Sequence, residues 1–222
     1  MTTTSIADRC PVCAGELRLY ARRPDSVYAA ASTFDIHRCD DCAFGVTRPA
    51  PSPEEIAATY DGAYDYSAHT LIASEKRWRS RRLLQRLREE PFDSVLDVGC
   101  MYGYLLQEAR EMGVPRTEGV ELAEAPTLWA RAQGSEVFLG TLDCYAATRP
   151  GGRLVICVPH FGSRTQRWFR RSWGWYQLPV HLQHFSPAAL RRLAPRQGAT
   201  VEDMFVILRQ SGRAVPVTLV PT

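Results

Sequence analysis

Four cysteines in the first 50 residues are spaced as ligands of one metal ion. They form two Cys-x2-Cys pairs separated by 25 residues, and the four are Cys10, Cys13, Cys39 and Cys42. A tight turn presents both sulfurs of a pair to one ion, and four thiolates with no open position make a closed, structural zinc site. The pattern therefore predicts a structural Zn²⁺. Four unligated core cysteines or two disulfides are the alternatives.

The same cysteines are compatible with a second class of function, a zinc-ribbon module that recognises nucleic acid or protein. Such a module needs basic and aromatic residues that converge on one face. Arginines occur in this region at positions 18, 22, 23 and 38, but aspartates at positions 25, 35, 40 and 41 offset them. A nucleic-acid partner is therefore not favoured.

A different signal lies where a predicted strand runs into a glycine-containing turn. Residues 95–103 read Val-Leu-Asp-Val-Gly-Cys-Met-Tyr-Gly, a strand followed by a turn and a helix start. In an open parallel sheet the ligand lies beyond the carboxyl ends of the strands, and glycine lets the backbone approach it. The next predicted strand ends at Glu121, whose carboxylate can accept hydrogen bonds from both ribose hydroxyls of a nucleotide. The pattern predicts a nucleotide-type cofactor at this turn.

These residues require an alternation of strands and helices to position them. The predicted strands are 94–98, 117–121, 136–139 and 153–158, and the predicted helices between them are 104–112 and 125–133. Such βαβαβ order predicts parallel strands with right-handed crossovers. We therefore expect an α/β fold, a Rossmann-like mostly parallel sheet flanked by helices, with a small N-terminal zinc-binding module.

Other local signals complete the organisation of the chain. Ser52-Pro53-Glu54-Glu55 is a capping-box start that predicts a short helix to residue 61 or 62. An amphipathic helix is expected over 71–87, with its arginines on a solvated face; a phosphate-binding stripe is the alternative. A helix is predicted to open at Ser186-Pro187, followed by terminal strands at 201–208 and 214–220. The predicted domains are a zinc-binding module (1–50), a helical connector (51–90) and a shortened Rossmann-like domain (91–222).

Around residues 95–103 and 121 the chain resembles the class I S-adenosylmethionine (SAM) dependent methyltransferases. Their first motif reads Leu-Asp-x-Gly-Cys-Gly-x-Gly, and their second strand ends in an acid. The similarity extends through Pro-Gly-Gly-Arg at 150–153 and through residues 179–186. The latter segment looks like one in a subgroup with an amino-terminal zinc module, which includes sugar C-methyltransferases and natural-product methyltransferases.

This resemblance implies SAM as the cofactor and gives roles to the matching residues. Asp97 and Gly99 would lie beneath the methionine part of SAM, and Gly103 would open the following helix. Glu121 would hold the ribose, and Leu142 with Asp143 would lie near the adenine.

Two departures from the family pattern bear on activity. Met101 replaces the middle glycine of the turn, which adds a side chain and a preference against positive φ. Only eight residues separate Leu142 from Gly151, where the resembling enzymes have several tens that form a strand and a helix. We expect this βα unit to be absent, and we expect the strand at 153–158 to take its place beside the strand at 94–98.

The missing segment would carry a Glu-His pair in the resembling enzymes, so a general base must come from elsewhere. His181, His184 and Tyr64 are the candidates for catalytic residues, together with His160. For each histidine an ordinary hydrogen-bonded side chain is the alternative.

The composition is that of a soluble globular protein, with 45% hydrophobic residues and a formal charge of +3. The sequence shows neither a membrane-spanning run nor a secretory signal, which predicts a cytoplasmic protein without a membrane partner. The leading hypothesis is a SAM-dependent methyltransferase acting on a small-molecule acceptor. A catalytically inactive homologue and the zinc-ribbon interaction protein are the alternatives.

Overall fold

A computed structural model of the chain describes residues 9–25, 32–52, 54–55, 69–88, 91–141, 148, 152–169, 172–196, 199–204, 207–209 and 212–221. Within these residues the strands are β1 (Leu17–Pro24), β2 (Thr33–Cys39), β3 (Gly45–Arg48), β4 (Ser94–Val98), β5 (Arg116–Glu121), β6 (Glu136–Leu139), β7 (Leu154–Pro159), β8 (Gln183–His184), β9 (Ala199–Met204), β10 (Ile207–Arg209) and β11 (Gly212–Pro221). The helices are α1 (His69–Leu87), α2 (Tyr104–Glu111), α3 (Glu124–Ala132), α4 (Arg164–Phe169) and α5 (Pro187–Arg196). In the described part of the chain, no helix is both long and apolar enough to cross a membrane.

The chain forms two compact units, one of which is built from two separate stretches of sequence. The cysteine unit comprises Met1–Ile56 and Thr148–Thr222, and the parallel-sheet unit comprises Ala57–Ala147. These bounds differ from the three predicted segments. The difference arises because β8, from late in the chain, pairs with β3 next to the cysteines.

The parallel-sheet unit has the predicted α/β architecture. Its sheet has the order β4-β5-β6, and both ladders are parallel. Helices α2 and α3 connect the three strands, as the right-handed crossover rule requires. The core contains two clusters of buried side chains, one formed by Cys100, Leu106, Ala130 and Val137 and the other by Leu84, Ala109 and Val114. The strands predicted in this region are confirmed to within one residue.

The arginine-rich helix α1 is fastened to α2 by ion pairs. Arg77 and Arg81 each donate to both Glu108 and Glu111, with Arg81 Nε 2.6 Å from Glu108 Oε2. The Glu108 side chain is 3% exposed. Burial would raise its pKa, but the hydrogen bonds from Arg81 and Arg77 hold the pKa of Glu108 below its usual range. Arg81 is exposed and Arg77 is half-buried, so both lie on the predicted solvated face, and both also supply charge that a buried carboxylate needs.

The cysteine unit contains two antiparallel sheets. One has the order β1-β2-β3-β8, and in the other β11 pairs with β7, β9 and β10. The prediction that the strand after the Pro-Gly-Gly turn would lie beside Ser94–Val98 is wrong. Within the described residues, Leu154–Pro159 pairs with Gly212–Pro221, with Val158 opposite Val215. A local pattern specifies a strand but does not name its partner, and here an antiparallel ladder with the terminal strand satisfies the backbone.

The capping box at the start of the predicted short helix is confirmed. The Ser52 N–H donates to Oε2 of Glu55 at 2.7 Å, and the Glu55 N–H donates to the Ser52 hydroxyl oxygen at 3.2 Å. Residues 54–55 are helical. The remainder of the predicted helix lies outside the described residues.

Candidate functional site

The turn after β4 bends the backbone across the end of the parallel sheet. Three of its residues have positive φ, namely Gly99 at 77°, Met101 at 51° and Gly103 at 67°. The N–H groups of Gly99 and Cys100 donate to the Val120 carbonyl of β5 at 2.8 and 3.1 Å. The turn is thereby fixed to the second strand before α2 begins.

Gly99 and Met101 both have a positive φ, but Gly99 has no side chain and Met101 has one. Gly99 is exposed, and a Cβ built on it has no atom within 4 Å. Its φ, rather than crowding, therefore requires glycine, and the space above it is open. Met101 adopts the conformation that the family pattern gives to a glycine, at about 1–2 kcal/mol for a residue with a Cβ. Met101 therefore has the positive φ that a residue with a side chain disfavours, and its effect on cofactor binding stays a prediction.

Glu121 lies against this turn, and its carboxylate is occupied by backbone donors. Met101 N–H donates to Oε2 at 2.7 Å, and the N–H groups of Leu122 and Ala123 donate to Oε1 at 2.8 and 2.9 Å. Glu121 is 3% exposed. The side chain therefore ties the turn to the beginning of α3, where the helix dipole also favours a carboxylate. The Glu121 carboxylate lies against the turn, as predicted, and its hydrogen-bond donors there are backbone N–H groups.

Two carboxyl groups give this end of the sheet a negative character. Burial raises the pKa of Asp97 to about 6, and the charge of Glu121 adds to the rise. The pKa of Cys100 is raised to about 12, first by burial and then by Asp97 and Glu121. Cys100 therefore stays a neutral thiol, and a cation beside Asp97 would relieve the repulsion between the two carboxylates.

Two of the predicted site residues, Tyr64 and Leu142, lie outside the described residues, as does Asp143. The chain just before Leu142 is described. The N–H of Gly140 donates to the Glu121 carbonyl at 2.8 Å. The backbone therefore leaves β6 at the same sheet end as the acid.

The four predicted metal ligands converge in the cysteine unit. The sulfurs of Cys10, Cys13, Cys39 and Cys42 all lie within 4.8 Å of one another. Cys10 and Cys42 sulfurs are 3.6 Å apart, and those of Cys13 and Cys39 are 3.5 Å apart. A tetrahedron with Zn–S bonds of about 2.3 Å has S···S edges of about 3.8 Å, whereas a disulfide requires about 2.0 Å. The four thiols therefore fit a zinc ion and are not paired as disulfides.

The two halves of the cluster repeat one backbone turn. Ala14 N–H donates to Cys10 O at 2.8 Å, and Ala43 N–H donates to Cys39 O at 2.9 Å. Both alanines have positive φ, 61° and 56°. The sequence interpretation missed these two residues, although the repeated Cys-x2-Cys-Ala was the available signal.

Gly15 completes the first turn for a steric reason. A Cβ there would lie 2.3 Å from Oδ2 of Asp41 and 3.0 Å from the Cys39 sulfur. A side chain at this position would push the two halves of the cluster apart.

A segment near the end of the chain encloses the cysteine cluster. The Ser186 hydroxyl donates to the Cys42 carbonyl at 2.6 Å and accepts the Ala189 N–H at 3.0 Å, so one side chain both caps α5 and holds the second turn. Arg196, at the other end of α5, donates to the carbonyls of Pro11 and Val12. The cysteine cluster therefore packs as one core with residues 183–196.

His184 is a buried member of that core. The Thr47 hydroxyl donates to the His181 carbonyl at 3.1 Å and lies 3.0 Å from His184 Nε2. One hydroxyl proton cannot serve both contacts, so Nε2 of His184 carries a proton and donates. Burial lowers the pKa of His184 to about 3, and His181 adds to the fall. These surroundings fit a structural side chain. Thr47, which the sequence interpretation missed, is 1% exposed and holds both histidines.

His181 keeps a nitrogen that could act as a base. Its Nδ1 lies 3.0 Å from the Trp175 carbonyl, which can only accept, so Nδ1 carries the proton and Nε2 the lone pair. The ring is half-buried, and burial lowers the pKa of His181. His160 follows β7 in the same unit and is also half-buried. The catalytic roles of these residues stay predictions.

No family model matches the chain, and no curated protein matches it in sequence. Its fold is similar to that of solved methyltransferases. The Burkholderia thailandensis 1,6-didemethyltoxoflavin-N1-methyltransferase, solved with 1,6-didemethyltoxoflavin and S-adenosylhomocysteine, has a TM-score of 0.54 at 18% identity, over 88% of this chain and 98% of that one.

Two further structures share the similarity. A SAM-dependent methyltransferase of Thermotoga maritima has a TM-score of 0.53 at 16% identity, over 71% of this chain and 94% of that one. One of Archaeoglobus fulgidus has a TM-score of 0.51 at 15% identity, over 70% of this chain and 99% of that one. The chain has the fold of SAM-dependent methyltransferases.

The methyltransferase fold explains why the turn and the acid come together. Strand order β4-β5-β6 places the ends of β4 and β5 side by side, with Val98 opposite Val120. Residues 99 and 121 follow these two positions directly. At identities of 15–18% the similarity establishes the fold, and the activity depends on the residues at the site.

Proposed function

We propose that the chain is a SAM-dependent methyltransferase that acts on a small-molecule acceptor. The observation that carries this proposal is the position of the Glu121 carboxylate, 2.7 Å from the Met101 N–H in the turn after the first parallel strand. A carboxylate and a glycine-containing turn at neighbouring strand ends form a nucleotide site in this class of sheet. Gly99, with open space above it, supports the same conclusion.

The charge at the site suits SAM in particular. SAM carries a positive sulfonium and an ammonium group, and Asp97 and Glu121 supply the negative charge. Binding a cation would lower the raised pKa of Asp97, and by linkage the ionised form of Asp97 would strengthen binding. Leu122, 41% exposed beside the acid, offers an apolar surface for an adenine ring.

Glu121 has limited room for the ribose. Its two oxygens offer about four acceptor sites in total, and three N–H groups already use them. One ribose hydroxyl can therefore bind while the Met101 contact persists. Two hydroxyls require that Met101 release Oε2, so cofactor binding is coupled to the shape of this turn.

Methyl transfer needs few catalytic groups from the protein once SAM is bound. The sulfonium is an activated methyl donor, and the protein must align an acceptor with the methyl group and, for some acceptors, remove a proton. His181, His184 and Tyr64 all remain candidate bases predicted from sequence, and burial lowers the pKa of both histidines, to about 3 for His184. Zn²⁺ bound by the four cysteines would supply structure and no chemistry, because four thiolates leave no open position.

Equilibrium dialysis with labelled SAM tests the proposal. Wild-type protein is expected to bind SAM saturably, and Glu121→Ala is expected to lose that binding. Glu118→Ala is the matched control, because Glu118 lies on the same strand and pairs with the exposed Arg116 at 2.9 Å. Absence of saturable binding at millimolar SAM, in protein shown to be folded and zinc-loaded, would reject the proposal.

A catalytically inactive homologue is the second candidate, and the positive φ of Met101 favours it. The short interval between Leu142 and Gly151 supports it as well, if a βα unit is absent there. Met101→Gly tests whether residue 101 or another feature of the pocket limits SAM binding. A gain in SAM affinity would identify residue 101 as the limit on the pocket, and no gain would place the limit elsewhere.

The zinc-ribbon alternative has less support. Arg22 donates both Nε and Nη2 to the carboxylate of Asp35 at 2.7 Å, and Arg18 pairs with Glu16 at 3.0 Å. Arginines already paired in this way are poorly placed to bind phosphates.

A further inference from the structure

A long segment, most of it in the cysteine unit, has strongly biased charge. Residues 144–201 contain nine of the 27 basic residues of the chain and none of its 24 acidic residues. The nine are arginines at positions 149, 153, 164, 167, 170, 171, 191, 192 and 196. The rest of the chain is net acidic, so the nearly neutral total hides a basic region. Such local bias favours an anionic partner.

Within this segment, α4 presents bulky aromatic side chains to solvent. Trp168 is 84% exposed and Phe169 is 59% exposed. Arg164 and Arg167 are exposed on the same short helix. Arg164 and Arg167 lie four and one residues before Trp168, so Trp168 and Arg164 are neighbours on one face. The helix therefore combines an apolar tip with two cations beside it.

The opposite side of α4 is anchored firmly. Gln166 is 1% exposed, and its amide donates to the hydroxyls of Tyr20 and Tyr176, both at 2.8 Å. The Ser163 hydroxyl accepts the Gln166 N–H at 3.1 Å. Because these contacts fix the helix, Trp168 and Phe169 are held outward by the fold.

We propose that α4 is a peripheral membrane contact, in which Trp168 and Phe169 enter the headgroup region of an anionic phospholipid bilayer while Arg164 and Arg167 bind lipid phosphates. Aromatic side chains prefer this interfacial depth, and arginines gain from the negative surface potential of anionic lipid. The sequence-based expectation of no membrane partner considered only spanning segments, and this contact needs none.

A lipid surface fits these residues better than single-stranded nucleic acid does. Bases stack on aromatic rings that form a platform along a groove. A ring with 84% of its surface exposed has neither face held by the protein. Entry into a fluid interface requires no fixed ring orientation, only apolar area and nearby positive charge.

Vesicle co-sedimentation of the full-length, zinc-loaded protein tests the proposal. The vesicles are phosphatidylcholine with about one-third phosphatidylglycerol, compared with phosphatidylcholine alone. We expect binding to the anionic vesicles, weakened by salt. Arg164→Ala/Arg167→Ala should lower the partition coefficient about 30-fold, and Trp168→Ala/Phe169→Ala should lower it at least about tenfold.

Matched controls come from α1, in the parallel-sheet unit. Leu71 is 83% exposed, and Arg82 is an exposed arginine. The variant Leu71→Ala/Arg82→Ala should bind vesicles as the wild type does. Each variant is also checked for circular dichroism and SAM binding, which should be unchanged, so that a failure of the membrane proposal is separate from a failure of the proposed enzymatic function.

Three outcomes would overturn the membrane contact. The wild type could fail to sediment with anionic vesicles, or the Trp168/Phe169 variant could bind them as well as the wild type does. Alternatively, a single-stranded oligonucleotide could bind at physiological salt in a Trp168-dependent way while vesicles do not, which would assign α4 to nucleic acid instead.

Discussion

The backbone N–H of Met101 donates to Oε2 of Glu121 at 2.7 Å, which joins the turn after β4 to the acid that ends β5. This contact holds a residue with a Cβ at a φ of 51°. The carboxylate therefore compensates a strained turn, and the same atoms would have to serve a bound nucleotide. Cofactor affinity and turn stability are linked through this pair.

Replacing Met101 by glycine should relieve the strained backbone with little loss of stability. The relief of about 1 kcal/mol is offset by the greater entropy of glycine in the unfolded chain, so we expect a change in unfolding free energy of less than about 1 kcal/mol. Met112→Gly is the matched control, since Met112 has a φ of −85°. Both variants lose a half-buried side chain, but Met112→Gly gains no relief of backbone strain, so it should be more destabilising than Met101→Gly by about 1 kcal/mol. Urea unfolding measures both, and equal losses for the two variants would contradict the account of Met101.

Removing the negative charge of Glu121 should loosen the turn as well as the cofactor site. In Glu121→Gln only one oxygen remains to accept the three N–H groups, which leaves buried donors unsatisfied at about 1–3 kcal/mol. Amide hydrogen exchange should accelerate at Met101, Leu122 and Ala123. Glu118→Gln should change stability by less than about 0.5 kcal/mol, because its ion pair with Arg116 is largely solvated. Unchanged protection of the Met101 amide in Glu121→Gln would refute this role.

Asp97 should make both stability and SAM binding depend on pH. The unfolded carboxyl loses its proton near pH 3.8 and the folded one near pH 6. The folded state therefore binds more protons within this window, and stability falls as pH rises through it. Asp97→Asn should gain about 3 kcal/mol over the wild type at pH 7, with no gain below about pH 4.

Thermal unfolding across this pH range measures the effect, and Asp93→Asn, at an exposed carboxyl, is the control. SAM affinity of the wild type should fall as pH drops below about 6, because a neutral Asp97 no longer attracts the cation. A stability gain that persists at low pH would show that the substitution acts through packing and not through charge.

Metal removal should release structure far from the cysteines in sequence. The wild type is expected to bind one Zn²⁺ per chain, measured by native mass spectrometry, and Cys42→Ser to bind none. Because Ser186 and Arg196 hold the two turns of the cluster, hydrogen exchange should accelerate in residues 183–196 as well as in residues 9–15 and 39–48. Cys157→Ser, at an exposed cysteine outside the cluster, should change neither. Unchanged hydrogen exchange in residues 183–196 after chelation would show that the stability of helix α5 does not depend on the metal.

Local chemistry in the sequence determined much of this protein. The Cys-x2-Cys spacing within each pair, the capping box at Ser52 and the strand-turn-helix around Gly99 each depend on residues within a few positions of one another, so their types and spacing specify the local structure directly. The same holds for the parallel strands, because a βαβ unit has essentially one handedness.

Only the tertiary structure decided which strands pair and which side chains are buried. The sequence indicated a strand at 153–158, but only the folded chain pairs it with Gly212–Pro221. It indicated His184 as a candidate catalytic residue, with an ordinary hydrogen-bonded side chain as the alternative, but only packing buries it beside Thr47. Strand pairing and burial depend on contacts between residues distant in sequence, and a hydrophobic period carries no information about which surface will cover it.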